Sequence, residues 1–291
     1  MAFPDYRWAM STIPAMLRAK FDRARDRPYA RVKVAGDWNQ TTGRDCETNV
    51  LAAAALLDKM GIEAGDRVAI LGPPHPNWTS LDFAVLCRGG VTVGIYPTLT
   101  PDQVAWQLRH SGAKALFVDS EATLDRLAAI EVPELRFRST WELPAEQADS
   151  EAFWRRAAEV KPEDPCAIVY TSGTTGDPKG AVLTHRAIHA VSVTSREVVP
   201  LAEGDRSLVF LPLAHVLQRI TVYRGLLEDV EAWFCPRIED FLDVVKEARP
   251  SVLASVPRML EKIKARVEGQ VAQASPLRQR PSTSKRMRTP S

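Results

Sequence analysis

Cys166-Ala167-Ile168-Val169-Tyr170-Thr171 followed by Ser172-Gly173-Thr174-Thr175-Gly176-Asp177-Pro178-Lys179-Gly180 decides the reading of this chain. The first six residues are apolar and β-branched enough for a buried strand, and the next nine cannot continue it. Between Thr171 and the short apolar stretch Ala181–Leu183 stand the glycines Gly173, Gly176 and Gly180, the hydroxyls of Ser172, Thr174 and Thr175, Pro178 and Lys179. Glycines let backbone N–H groups turn toward an anion, hydroxyls add donors, and a lysine supplies positive charge, so the string has the chemistry of a phosphate-binding loop. Taken singly, each of these residues reads equally well as part of a surface turn. In the order found, directly after a strand, they point to phosphates. A Walker A loop requires G-x-x-x-x-G-K-[ST], and here Lys179 precedes its glycine, so a P-loop NTPase is excluded on spacing.

Outward from this stretch, strand-length apolar runs alternate with amphipathic ones from about residue 44, the pattern of an α/β protein on a largely parallel sheet. Before the loop the pattern predicts a helix over 45–60, a strand over 67–71, a helix over 78–88, a strand over 92–96, a helix over 101–111 opened by Pro101, and a strand over 114–119. A Glu/Ala-rich, helix-bearing connector over 140–165 is the expected seam between two subdomains. After the loop come a helix over 185–198, strands over 208–211, 231–235 and 251–255, and helices over 217–227, 238–248 and 257–267. Beyond Glu268 the residues are mostly Gln, Ser, Pro, Arg and Thr, so 268–291 is expected to be a disordered basic tail, with a composition break that suggests translation out of an ancestral frame.

The string Tyr170 to Gly180 resembles the phosphate loop of the adenylate-forming superfamily, which includes acyl-CoA synthetases, luciferases and peptide-synthetase adenylation domains. Gly65-Asp66-Arg67-Val68-Ala69-Ile70, Tyr96-Pro97-Thr98, Ser111-Gly112-Ala113-Lys114, Leu211-Pro212-Leu213-Ala214-His215 and Ser255-Val256-Pro257-Arg258 are similar to segments of the long-chain fatty-acid–CoA ligases within it. The resemblance implies the front part of a large N-terminal domain, with two α/β subdomains of mostly parallel sheet flanked by helices over 1–267. It implies ATP and coenzyme A as co-substrates, Mg²⁺, and a fatty acid as the acyl substrate. On this resemblance Thr171, Ser172, Gly173, Thr174, Thr175, Gly176 and Lys179 hold the nucleotide phosphates, with Thr171 nearest the metal. Lys179 and His215 are the candidate catalytic residues, His215 lying beside the reacting carboxylate or, on the plainer reading, satisfied within a helix start. Gln218 stands where close relatives are expected to carry an acid.

Neither a Y-G-x-T-E nor a T-G-D segment follows Val267. The expectation is therefore a truncated ligase with little activity of its own. Open beside it are a non-catalytic fragment pairing with a separately encoded C-terminal polypeptide and a fatty acyl-AMP ligase.

Composition supports a globular protein and no nucleic-acid partner. The 291 residues are 45% hydrophobic and 25% charged with a formal net charge of +2, and Arg278, Arg280, Lys285, Arg286 and Arg288 put positive charge in the tail. Cys46, Cys87, Cys166 and Cys235 form no C-x-x-C pair and read as reduced, mostly buried thiols. The apolar run Val50–Leu57 is far short of the roughly 20 residues a membrane span needs, which points to a cytoplasmic protein with at most peripheral membrane contact. His185 and His189 copy the spacing of a zinc helix, but Arg186 stands in place of the glutamate and no third ligand is evident. Ser282 and Lys285 copy a serine–lysine pair in a stretch with no core to hold it.

Overall fold

A computed structural model describes residues 11–171 and 178–273. The chain divides after Ala254 into two compact units. The first unit carries two sheets. In the six-stranded sheet, β3 (Arg67–Leu71), β4 (Val91–Ile95), β5 (Ala115–Val118), β6 (Phe137–Thr140), β7 (Pro165–Thr171) and β8 (Lys179–Thr184) stand in the order β6-β5-β3-β4-β7-β8. All neighbours are parallel except β8, which runs antiparallel to β7. The five-stranded sheet uses β1 (Pro28–Val34), β2 (Asp37–Thr42), β9 (Arg206–Val209), β10 (Glu231–Phe234) and β11 (Val252–Leu253) in the order β11-β9-β10-β1-β2, with β2 alone antiparallel.

Helices α1 (Ile13–Ala24), α2 (Gly43–Lys59), α3 (Pro76–Cys87), α4 (Pro101–Ser111), α5 (Glu121–Arg126), α6 (Ser150–Ala157), α7 (His185–Val198), α8 (Val216–Arg224) and α9 (Phe241–Ala248) complete this unit. Alternation along β3 explains the layering. Val68 and Ile70 face a core shared with Val50 and Leu57 of α2, Phe83 and Leu86 of α3, and Ala30, Val32, Val209 and Phe234 of the other sheet. Ala69 and Leu71 face the opposite core, with Val104 and Leu108 of α4. Helices α2 and α3 thus lie between the sheets, and α3 is accordingly buried at nearly every position rather than along one stripe.

Two features depart from the sequence reading. Strand β7 beyond the 140–165 connector pairs with β4 ahead of it, and β1 pairs with β10, so both sheets draw strands from both sides of that connector. The second unit contains α10 (Pro257–Gln273), which runs past the expected break at Glu268 because Gln and Ala favour helix even in a polar stretch.

Candidate active site

Parallel pairing of β5, β3, β4 and β7 sends the loops after Val118, Leu71, Ile95 and Thr171 out at one edge of the six-stranded sheet. Open α/β sheets bind ligands at this carboxyl edge, in the crevice where strand order reverses. The candidate phosphate loop leaves this edge from β7 and returns as β8. Thr171 and Lys179 face each other as the last register pair of the hairpin, and both are exposed. Ser172, Gly173, Thr174, Thr175 and Gly176 lie outside the described residues.

The base of this hairpin is clamped. Gly180 stands opposite Tyr170, and a Cβ built on Gly180 would lie 3.3 Å from the Tyr170 ring, so the glycine leaves space that the ring occupies. The Tyr170 hydroxyl lies 2.9 Å from His110 Nδ1 and donates to the Gln107 carbonyl at 3.3 Å. Trp106 stacks on His110 with centroids 4.8 Å apart and meets Tyr170 edge-on at 5.8 Å. Helix α4 therefore holds the strand end from which the loop departs. Its own position is secured by a capping box between Thr100 and Gln103 and by Gly112 at φ 62° as its C-cap. The Trp106–His110–Tyr170 cluster was missed in the sequence; an aromatic and a histidine at i and i+4 on one helix were the available signal.

The second part of the site is the segment after β9. A Cβ on Gly94 in β4 would come within 2.8 Å of Ala214 Cα, so the missing side chain lets 211–215 lie directly against the strand beside β7. A glycine inside a strand is the sequence mark of such close backbone approach. His215 is the N-cap of α8, and its Nδ1 accepts the Leu217 amide at 3.2 Å. It is half-buried, and burial lowers its pKa from the ordinary histidine value. With Nδ1 accepting, the neutral ring carries its proton on Nε2, so His215 is built to donate a hydrogen bond. The cap and the functional reading of His215 are compatible, because they use different nitrogens.

Gln218 is fully buried, and its Oε1 accepts the amides of Phe210 and Leu211 at 3.2 and 3.1 Å while Nε2 donates to Thr221 Oγ1 at 2.7 Å. It organises the strand end leading to His215 and needs no charge to do so. Further along α8, Arg219 donates to Asp82 Oδ1 at 2.7 Å and to the Tyr223 hydroxyl at 2.8 Å, and Tyr223 donates to Asp82 Oδ2 at 2.6 Å. All three are buried, so α3 and α8 are joined by an ionic network with little access to water. Burial works against the Arg219 charge, but the Asp82 carboxylate outweighs it and the guanidinium is held above its usual pKa.

Among the described residues no group of three or more His, Cys, Asp and Glu could hold a metal ion. His185, one half of the zinc-like pair, instead accepts the Ile13 amide on Nδ1 at 3.3 Å, and burial lowers its pKa to about 4. All four cysteines are buried and free. No described helix is long and apolar enough to cross a membrane.

The hairpin, its clamp and the segment on Gly94 lie at the carboxyl edge of an α/β sheet, and sequence comparison gives the chain a family. A model of the AMP-binding enzymes matches residues 20–288, and the chain belongs to that family. The long-chain-fatty-acid–CoA ligase FadD15 of Mycobacterium tuberculosis is 36% identical over 275 residues, which cover 87% of this chain and 45% of the relative. The peroxisomal long chain acyl-CoA synthetase 6 of Arabidopsis thaliana is 30% identical over 299 residues, covering 91% and 42%. The chain thus spans less than half the length of these curated relatives. An inhibitor-bound crystal structure of the N-terminal domain of FACL13 from Mycobacterium tuberculosis shares the fold, with a TM-score of 0.73, 24% identity, and coverage of 88% of this chain and 65% of that one.

Proposed function

We propose that this chain is the N-terminal part of a fatty-acid–CoA ligase, in which it supplies the ATP phosphate loop and part of the fatty-acid site. The observation that carries the reading is the β7–β8 register, which pairs Thr171 with Lys179 at the carboxyl edge and so frames the loop of glycines and hydroxyls between them. In the proposed first step a fatty carboxylate oxygen attacks the α-phosphorus of ATP, the bond to the bridging oxygen breaks, and pyrophosphate leaves with its electron pair. Negative charge grows on the phosphoryl oxygens and the leaving group. Lys179 and the loop donors offset it, each such donor being worth roughly 2.7–4 kcal/mol in a transition state. His215 donates from Nε2 to the carboxylate or to the adenylate carbonyl. In the second step the coenzyme A thiol displaces AMP from the acyl carbon.

Mg²⁺ belongs to this proposal only through the family resemblance. Protein magnesium sites combine one or two carboxylates with substrate phosphates and water, and Thr171 offers a single exposed hydroxyl. The described residues do not make a magnesium site.

The test is palmitate-dependent exchange of labelled pyrophosphate into ATP. The proposal expects exchange that Lys179→Ala lowers at least about 100-fold, the effect of one transition-state donor. Hydroxamate trapping in place of thioester formation would assign the acyl-AMP ligase reading instead. Coverage of less than half of the relatives favours one second reading, a fragment that acts only when paired with a C-terminal polypeptide. Exchange that appears only on adding the C-terminal remainder of FadD15 supports that pairing, and no exchange in either case removes the ligase reading.

A further inference from the structure

A cavity of about 620 Å³ opens at the opposite end of the six-stranded sheet, by the amino-terminal ends of β3, β4 and β7. It is separate from the loop and from His215, and nothing in the proposed reaction uses it. Its volume falls within the roughly 300–1,000 Å³ of small-molecule sites. Part of the wall is apolar: Val91 of β4, Ile168 of β7, Val182 of β8 and Val160 after α6. Val182 is 59% exposed, so this wall faces open space rather than a packed core.

Three guanidinium groups line the same cavity, from Arg67, Arg88 and Arg156. Arg67 spends its donors on the carbonyls of Gly65, Ser111 and Gly112, which satisfy its hydrogen bonds and leave its charge uncompensated. Arg88 pairs with Asp58. No ion pair joins Arg156 to any described residue. Burial and then repulsion from Arg156 lower the Arg88 pKa to about 10, so the two cations act on one another across the cavity. Glu159 and Asp164 also line it, and Asp164 Oδ2 is held by the Lys161 amide at 2.8 Å.

We infer that this cavity is a second ligand site, for an aliphatic carboxylate whose chain lies on Val91, Ile168 and Val182 and whose head group is taken by Arg156. An apolar wall excludes a fully hydrated anion, and Arg67, Arg88 and Arg156 outnumber the carboxylates of Glu159 and Asp164, so the cavity favours an aliphatic anion over an aliphatic cation. A carboxylate on a hydrocarbon chain satisfies both, with the forked geometry that guanidinium groups offer carboxylates. The site would sense the same chemical class the reaction consumes, at the far end of the sheet.

Titration calorimetry with decanoate on the full chain tests this independently of any ligase activity. The expected result is saturable binding that weakens tenfold or more in Arg156→Gln and in Val182→Glu, persists in His215→Ala, and is absent for decylamine. Val182 and Arg156 are not core residues, and an unchanged urea midpoint in Arg156→Gln and Val182→Glu will confirm that both fold. Decylamine binding as well as decanoate, binding lost in His215→Ala but kept in Arg156→Gln, or no saturable binding would each overturn the inference. Pyrophosphate exchange reads the other site, so either conclusion can fail without the other.

Discussion

Removing the Asp82 carboxylate leaves the Arg219 guanidinium buried against Trp78 with its main counter-charge gone. Arg219 and Asp82 are each 2% exposed, and the Arg219 carbon sits 5.3 Å from the Trp78 ring centroid, so water cannot replace the lost partner without repacking. Arg219 Nη1 already lacks a hydrogen-bond partner, which leaves the network no spare acceptor. Breaking such a pair costs about 3–5 kcal/mol, a large share of the usual 5–15 kcal/mol margin. Tyr223→Phe removes one donor and one shared acceptor while leaving the ion pair intact, for about 1–3 kcal/mol. The double variant Asp82→Leu/Arg219→Met removes both charges and should recover most of the loss, because the desolvation cost of the pair disappears with it. Urea unfolding of the wild type, Asp82→Ala, Tyr223→Phe and the double variant measures all four. A loss below about 1 kcal/mol for Asp82→Ala, or a double variant as unstable as the single one, would refute the claim that this network locks α8 to α3.

The other predictions concern the same framework. His215→Asn keeps an N-cap acceptor and should unfold like the wild type while losing exchange activity, whereas His215→Ala should also lose about 1 kcal/mol of stability in urea. Gly94→Ala puts a Cβ 2.8 Å from Ala214 Cα, so it should cost about 1–3 kcal/mol and raise KM for the fatty acid as 211–215 shifts, both read from one purified variant. His185 and His75 have folded pKa values lowered to about 4 from 6.5, so the neutral rings stabilise the fold above pH 6.5. Below that the unfolded chain binds more protons, and stability should fall as pH drops toward 4, by on the order of 3 kcal/mol for each ring. Unfolding midpoints at pH 7.5, 5.5 and 4.5 will show it, and His185→Gln should flatten the slope.

Elements with local signals were legible in the sequence. Strand β3 and helix α4 lie where apolar runs and caps predict, since Pro101, Thr100, Gln103 and Gly112 mark α4 at both ends without help from distant residues. Strands β1 and β2 are absent from the sequence reading although Ala30-Arg31-Val32-Lys33-Val34 carries the apolar–charged alternation of a half-buried strand, and the parallel partner of β1, β10, comes only some two hundred residues later. Strand β11 is two residues rather than the five expected, as only Val252 and Leu253 reach β9. At the site, Lys179 and His215 could be named from the motif, but Arg219 looks like any surface arginine on a helix. Its role depends on Asp82, and no local pattern connects them. Gln218 shows the reverse case: an acid is expected there, and a neutral amide oxygen accepts from two backbone amides.

Amide hydrogen exchange in the presence and absence of ATP tests the nucleotide site most directly. Protection concentrated in peptides spanning 171–180, and lost in Lys179→Ala, is the expected result. Unchanged exchange there, or protection confined to another part of the chain, would contradict the assignment of this hairpin to the nucleotide.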